Sequence, residues 1–152
     1  MRLGALLRGG ELLLLDGQLG TGKTTFTQGL AKGMGITDVV SSPTFTLLKE
    51  YTSQLRSHTQ EETQRGLALY HFDLYRLDDP DEIIDLGFED YFYGSDVCVV
   101  EWADKADLLW PAERLHIHLK MMGETERGLL FTAAGQRYYE LLRQFYYATA
   151  SS

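Results

Sequence analysis

An α/β fold follows from three observations: a three-layer sandwich, with helices on both faces of a central, mostly parallel but mixed sheet. First, the apolar run Leu12 to Leu15 is short and bounded by Gly10 and Gly17, as a buried strand would be. Second, a helical period starts soon after it, with Phe26, Leu30 and Met34 on one face. Third, another short apolar run, Val97 to Trp102, returns late in the chain. Strand, helix and further buried strands, in that order, describe one sheet sandwiched by helices. A chain of 152 residues is expected to form one domain, residues 1–152.

Element by element, Leu3 to Leu7 reads as the end of a helix and Glu11 to Leu15 as the first strand. The helix from Lys23 to about Met34 is closed by Gly33 and Gly35. Val39 to Tyr51 reads as extended, because Pro43 near its start disfavours helix. Thr52 to Gly66 is polar and without an apolar period, so it reads as a solvated loop or hairpin tip. Leu67 to Leu77 alternates like a strand. Asp79 as cap, Pro80 at the first helical position and Glu82 three residues after the cap then start a helix that Gly87 ends. "RLHIHLK" and "RGLLFTAA" form a late strand pair turning near Gly123, and Tyr138 to Tyr147 forms a C-terminal helix with Tyr139, Leu142 and Tyr146 at helical spacing.

Composition narrows the function. A net charge of -8 makes the chain a poor direct binder of polyanions, so any nucleic acid is expected to enter through a partner. The single cysteine, Cys98, sits in the apolar "VCVVEW" and reads as a core residue; no internal disulfide is possible, which suits a reducing cytoplasm. No stretch approaches the ~20 apolar residues of a membrane span, and Arg8 to Glu11 interrupt the N-terminal apolar part where a signal peptide would continue.

The chemistry is concentrated in "GQLGTGKT", Gly17 to Thr24, which satisfies G-x-x-x-x-G-K-[ST] between a strand and a helix. This is a P-loop. Its glycines reach positive φ and let the backbone wrap closely, so that successive N–H groups cradle phosphates at a helix N-terminus. Gly20, Thr21, Gly22, Lys23, Thr24 and Thr25 are the expected nucleotide-binding residues. The Lys23 ammonium would neutralise the β- and γ-phosphates, and the Thr24 hydroxyl would ligate Mg²⁺. ATP is favoured over GTP, because "DKAD", Asp104 to Asp107, puts Asp where a guanine reader needs Asn.

Two strands end in carboxylates: "LYHFD" at Asp73 and "VCVVE" at Glu101. Either can hold a metal or orient a water, or be a surface acid at a strand end. Thr44, in the proline-stiffened "SSPTF", is a candidate sensor of the γ-phosphate or a plain turn residue. His71 shares a strand face with Asp73 and reads as a polar support. His116 and His118, also on one strand face, read as structural, and Arg76 is a cation near the phosphates or a surface ion pair.

The ordered set "GQLGTGKTTF", "SSPTFTL", "YHFDLYRL", "LGFEDYF" and "VVEW" resembles the TsaE (YjeE) family over about Leu3 to Ala134. The resemblance implies a P-loop NTPase-like fold and an ATPase using ATP and Mg²⁺. It also implies work with the TsaD and TsaB proteins in threonylcarbamoylation of adenosine 37 of tRNA, with tRNA reached only through that complex. It maps phosphate and metal roles onto Lys23 and Thr24, a switch-like role onto Thr44, and metal and water roles onto Asp73 and Glu101. Arg127 looks like a nucleotide neighbour. Two departures stand out: Gln18 where the family usually has Asp, and the expectation that an N-terminal strand and helix usual before Leu3 is lacking. With no arginine finger evident in cis, hydrolysis is expected to be slow alone and faster with partners. A small-molecule kinase and a non-catalytic nucleotide-dependent adaptor are the alternatives.

Overall fold

The computed structural model describes residues 2–17, 22–41, 47–53, 66–124 and 126–150. Six strands form one mixed sheet in the order β2-β3-β4-β1-β5-β6. In chain order the elements are α1 (Arg2–Leu6), β1 (Leu12–Asp16), α2 (Lys23–Gly33), β2 (Leu48–Thr52), β3 (Ala68–Asp73), α3 (Asp81–Asp85), α4 (Glu89–Phe92), β4 (Val97–Glu101), a 3-10 segment Ala103–Leu109, β5 (Arg114–Met121), β6 (Arg127–Ala134) and α5 (Gln136–Ala150). The four inner strands, β3, β4, β1 and β5, run parallel; β2 and β6 flank them antiparallel. The parallel strands read as near-continuous apolar runs because both of their faces are covered.

Alternation along each strand sorts the core into two layers. Leu13, Leu15, Leu69, Val97, Val99, Leu115 and Ile117 pack with Phe26 and Leu30 of α2, Met34 just after it, Leu3 near the N-terminus, and Tyr138 and Leu141 of α5. Leu12, Leu14, Phe72, Cys98 and Val100 pack on the other face with Ile83, Phe88, Phe92 and Trp110. Phe72 meets Phe88 edge-on at 5.1 Å and Phe92 at 5.2 Å, a geometry that adds to its area burial. Cys98 is a core residue as expected: burial pushes its thiol up to about 12. At Gly4 an added Cβ would lie 2.1 Å from the Leu30 carbonyl oxygen, so a glycine there lets α1 lie directly on α2.

Several expectations are corrected in detail. Glu11 precedes the first strand instead of opening it. Its buried carboxylate accepts the backbone N–H groups of Arg8 (2.8 Å) and Gly9 (2.7 Å) and lies 3.3 Å from Arg137. The strand expected to reach Leu77 ends at Asp73, where the Asp73 carboxylate accepts the Tyr75 N–H and turns the chain. The helix expected to open at Pro80 opens one residue later, at Asp81, and Asp79 Oδ1 accepts the Asp81 N–H at 3.0 Å just before it. In the C-terminal helix, Tyr139 and Tyr146 are exposed, and Tyr138, Leu141, Leu142 and Phe145 face the core. The Tyr138 hydroxyl accepts the Leu12 N–H at 2.8 Å and ties α5 to β1. Of the stretch expected to be extended, Leu48–Thr52 forms β2; residues 42–46, and most of the expected 52–66 loop, lie outside the described residues.

Candidate functional site

The site lies at the carboxyl ends of the inner strands, the usual crevice of a parallel α/β sheet. There β1 runs into Gly17 and, after residues outside the described set, Gly22 opens α2. Gly22 has φ 97°, a left-handed conformation that favours glycine, and a Cβ built there would meet nothing within 4 Å among the described residues. The positive φ thus sets a glycine-dependent turn directly before the N-terminus of α2. Gly20 and Thr21 lie outside the described residues. Thr25 is exposed on the first turn of α2.

Lys23 is only 5% exposed, and its ammonium donates to the Gly17 carbonyl at 2.6 Å. The same ammonium stands 3.9 Å from the centroid of the Trp102 ring. Burial holds the Lys23 pKa below the ordinary lysine value, against the opposing pull of Glu101, Asp73, Asp104 and Asp16. Trp102 has φ 60°, the one non-glycine residue with positive φ among those described. Strain of this kind costs about 1–3 kcal/mol and persists where the surroundings fix it; here it aims the indole at Lys23.

Register brings the two predicted carboxylates together. Asp73 and Glu101 are Cα partners across the parallel β3–β4 pair. Glu101 is 2% exposed, and its Oε1 accepts the Thr24 hydroxyl at 3.2 Å. Its Oε2 is held by Nε2 of the fully buried His71. His71 is therefore a polar support, as its strand phase suggested, and its target is Glu101. Arg76 is exposed in the turn after Asp73. Thr44 lies outside the described residues, and so does the side chain of Arg127, at the start of β6.

Sequence reading missed the arrangement on the opposite sheet face. Asp16, the last residue of β1, is mostly buried; its Oδ1 accepts the Asp104 N–H at 2.8 Å and its Oδ2 contacts His116 Nε2. Burial alone would raise the Asp16 pKa, but the hydrogen bonds from His116 and Asp104 bring it below the ordinary value. The Asp16 bond raises the pKa of His116 against burial. Burial, together with Asp16, raises that of Asp104. Asp16, Trp102, Asp104, Asp107, His116 and His118 border an open cavity of about 660 Å³ beside the glycine turn. An acid at the end of the first strand was the only sequence signal, and its partner stands a hundred residues away.

Among the described residues no group of three or more His, Cys, Asp or Glu side chains could hold a metal ion. The Thr24 hydroxyl and the Glu101 carboxylate stand 3.2 Å apart, oxygen donors of the type that Mg²⁺ takes beside waters and phosphate oxygens. No helix among the described residues is long and apolar enough to cross a membrane.

Comparison with known proteins finds relatives over most of the chain. The family model for TsaE, described as threonylcarbamoyl adenosine biosynthesis protein TsaE, matches residues 1–129. The tRNA threonylcarbamoyladenosine biosynthesis protein TsaE of Bacillus subtilis (strain 168) is 46% identical over 140 residues, 92% of this chain and 80% of that protein. The protein of the same name from Treponema pallidum (strain Nichols) is 37% identical over 127 residues, 84% of this chain and 85% of its own. The crystal structure of Bacillus subtilis YdiB superposes with a TM-score of 0.76 at 40% identity, covering 97% of this chain and 85% of that one. With matches this extensive in both sequence and fold, the chain belongs to the TsaE family.

Proposed function

We propose that this protein binds and hydrolyses Mg-ATP in the cytoplasm, and that hydrolysis supports a TsaB–TsaD complex in threonylcarbamoylation of adenosine 37 of tRNA. The observation that carries the ATPase reading is the Thr24 hydroxyl, on the first turn of α2, within 3.2 Å of the buried Glu101 carboxylate and next in sequence to a buried lysine. The biosynthetic reading rests on the names of the matching family and relatives. A formal charge of -8 favours contact with tRNA through partners over direct contact.

In this reading Lys23 and the N–H groups at the start of α2 bind the phosphates and stabilise the charge that develops as water attacks the γ-phosphorus in line. The bond to the bridging oxygen breaks, ADP leaves, and the proton of the attacking water ends on inorganic phosphate or solvent. Thr24, Glu101 and Asp73 would hold Mg²⁺, which supplies neutralisation of the β- and γ-oxygens. Glu101 orients the water. Burial of Glu101 and Lys23 keeps bulk solvent from screening these interactions.

Phosphate release from ATP, measured with no added acceptor, tests the reading. Slow release by the protein alone that rises when TsaB and TsaD are added is the expected result. No release in either condition would overturn it, and release only with a small-molecule acceptor would indicate a kinase.

A further inference from the structure

We infer that His71 is the positioning residue of this site: its imidazole fixes the Glu101 carboxylate so that Oε1 faces Thr24 and the phosphate turn. The inference rests on the ATPase reading for its consequence, but its geometry does not depend on a ligand. Glu101 has two oxygens and each has a separate partner. Oε1 accepts the Thr24 hydroxyl, and Oε2 is held by His71 Nε2. A carboxylate only accepts, so the imidazole proton belongs on Nε2. The other ring nitrogen, Nδ1, is buried and meets no hydrogen-bond partner among the described residues. A proton there would be an orphaned buried donor, which costs more than a bare ring nitrogen. Both nitrogens therefore select the same tautomer.

The backbone makes the contact possible. His71 and Asp73 share one face of β3, and Glu101 shares a face with Val97 and Val99 of β4. The parallel register pairs Asp73 with Glu101 and His71 with Val99, so the imidazole sits one step behind the carboxylate and supports it from the core. His71 is wholly enclosed and Glu101 nearly so. The ring cannot reach solvent, and the carboxylate cannot rotate without losing Thr24 or His71. This is the logic of a buried partner that orients a liganding side chain: it acts through its neighbour and touches no substrate.

Three measurements test the assignment. Imidazole ¹⁵N NMR of the ligand-free protein should show the His71 proton on Nε2, and Glu101→Ala should abolish that signature. His71→Leu should bind ATP within about three-fold of wild type by calorimetry while turnover falls about 10- to 100-fold. His71→Gln, which keeps a donor on a chain of similar reach, should restore most of the lost turnover. A proton on Nδ1 would overturn the assignment. So would full turnover in His71→Leu, or equal loss of turnover in the Leu and Gln variants. If His71→Leu does not fold, a His71→Gln variant as impaired as Glu101→Ala overturns it, and one near wild type supports it. If wild type releases no phosphate, the ATPase reading fails on its own, and the ¹⁵N spectra still decide whether His71 holds Glu101.

Discussion

Two carboxylate–imidazole pairs stand on opposite faces of one sheet, and they differ in burial. Glu101 and His71, on the α2 face, are 2% and 0% exposed, and the carboxylate also receives Thr24. Asp16 and His116, on the other face, border an open cavity, and the His116 side chain is 35% exposed. The enclosed pair has one geometry available to it and faces the glycine turn. The open pair ties β1 to β5 and, through Asp104, to the 3-10 segment. The same chemical pair thus serves to aim a carboxylate in one place and to fasten strands in the other. Burial decides which, because a low local dielectric strengthens the enclosed bonds and forbids alternatives.

If the two faces differ in this way, substitutions should separate turnover from stability. The largest expected effect is in Glu101→Gln: phosphate release falls by on the order of 10²-fold while nucleotide affinity persists. Equal losses in both would remove the distinction. Next, Asp16→Ala should lower the unfolding free energy by about 1.5–3 kcal/mol in a denaturant titration, because the Asp104 N–H and His116 both lose their acceptor. A variant as stable as wild type would show that Asp16 fastens nothing.

A smaller effect is pH-dependent. The folded-state pKa of His116 is raised, so its bond contributes fully below the ordinary value of 6.5 and is lost as pH rises through the raised value. That of Asp16 is lowered, so its contribution is present above the ordinary 3.8 and is lost as pH falls through the lowered value. The pair is therefore strongest between 3.8 and 6.5. Arg114 opposes the charge on His116 and Asp107 supports it, while the hydrogen bonds from Asp104 favour the charged form of Asp16. Wild type should exceed His116→Asn in stability within that window, by under about 1 kcal/mol because the imidazole is part-exposed. The gap should close at higher pH; a gap that widens there would contradict the pairing. Smallest of all, Leu108→Ser should stay within about 0.5 kcal/mol of wild type, since Leu108 is 99% exposed.

The enclosed face was the more legible in sequence, for a physical reason. Its parts are local: a glycine turn before a helix, and acids at the ends of two apolar strands. Parallel pairing then places strand ends side by side without further instruction, as it does for Asp73 and Glu101. The open face is built from Asp16, Asp104 and His116, which are brought together only by tertiary structure. No periodicity announces such contacts. The aim of Trp102 is set by a positive φ that its residue type gives no reason to expect. In α5 the spacing of Tyr139, Leu142 and Tyr146 was helical, yet of the three only Leu142 packs on the core, beside Tyr138, Leu141 and Phe145. Tyrosine fits either side of such a helix, so amphipathic spacing alone could not choose.

The central claim is that a buried ammonium and the glycine turn grip a phosphate chain, with a divalent ion placed between it and Glu101. Calorimetric titration of ATP into the folded protein, with Mg²⁺ present and again with it chelated, tests this most directly. The account predicts saturable binding that strengthens with Mg²⁺ and disappears in Lys23→Ala. Binding that is absent in wild type, or equally strong in Lys23→Ala, would contradict it.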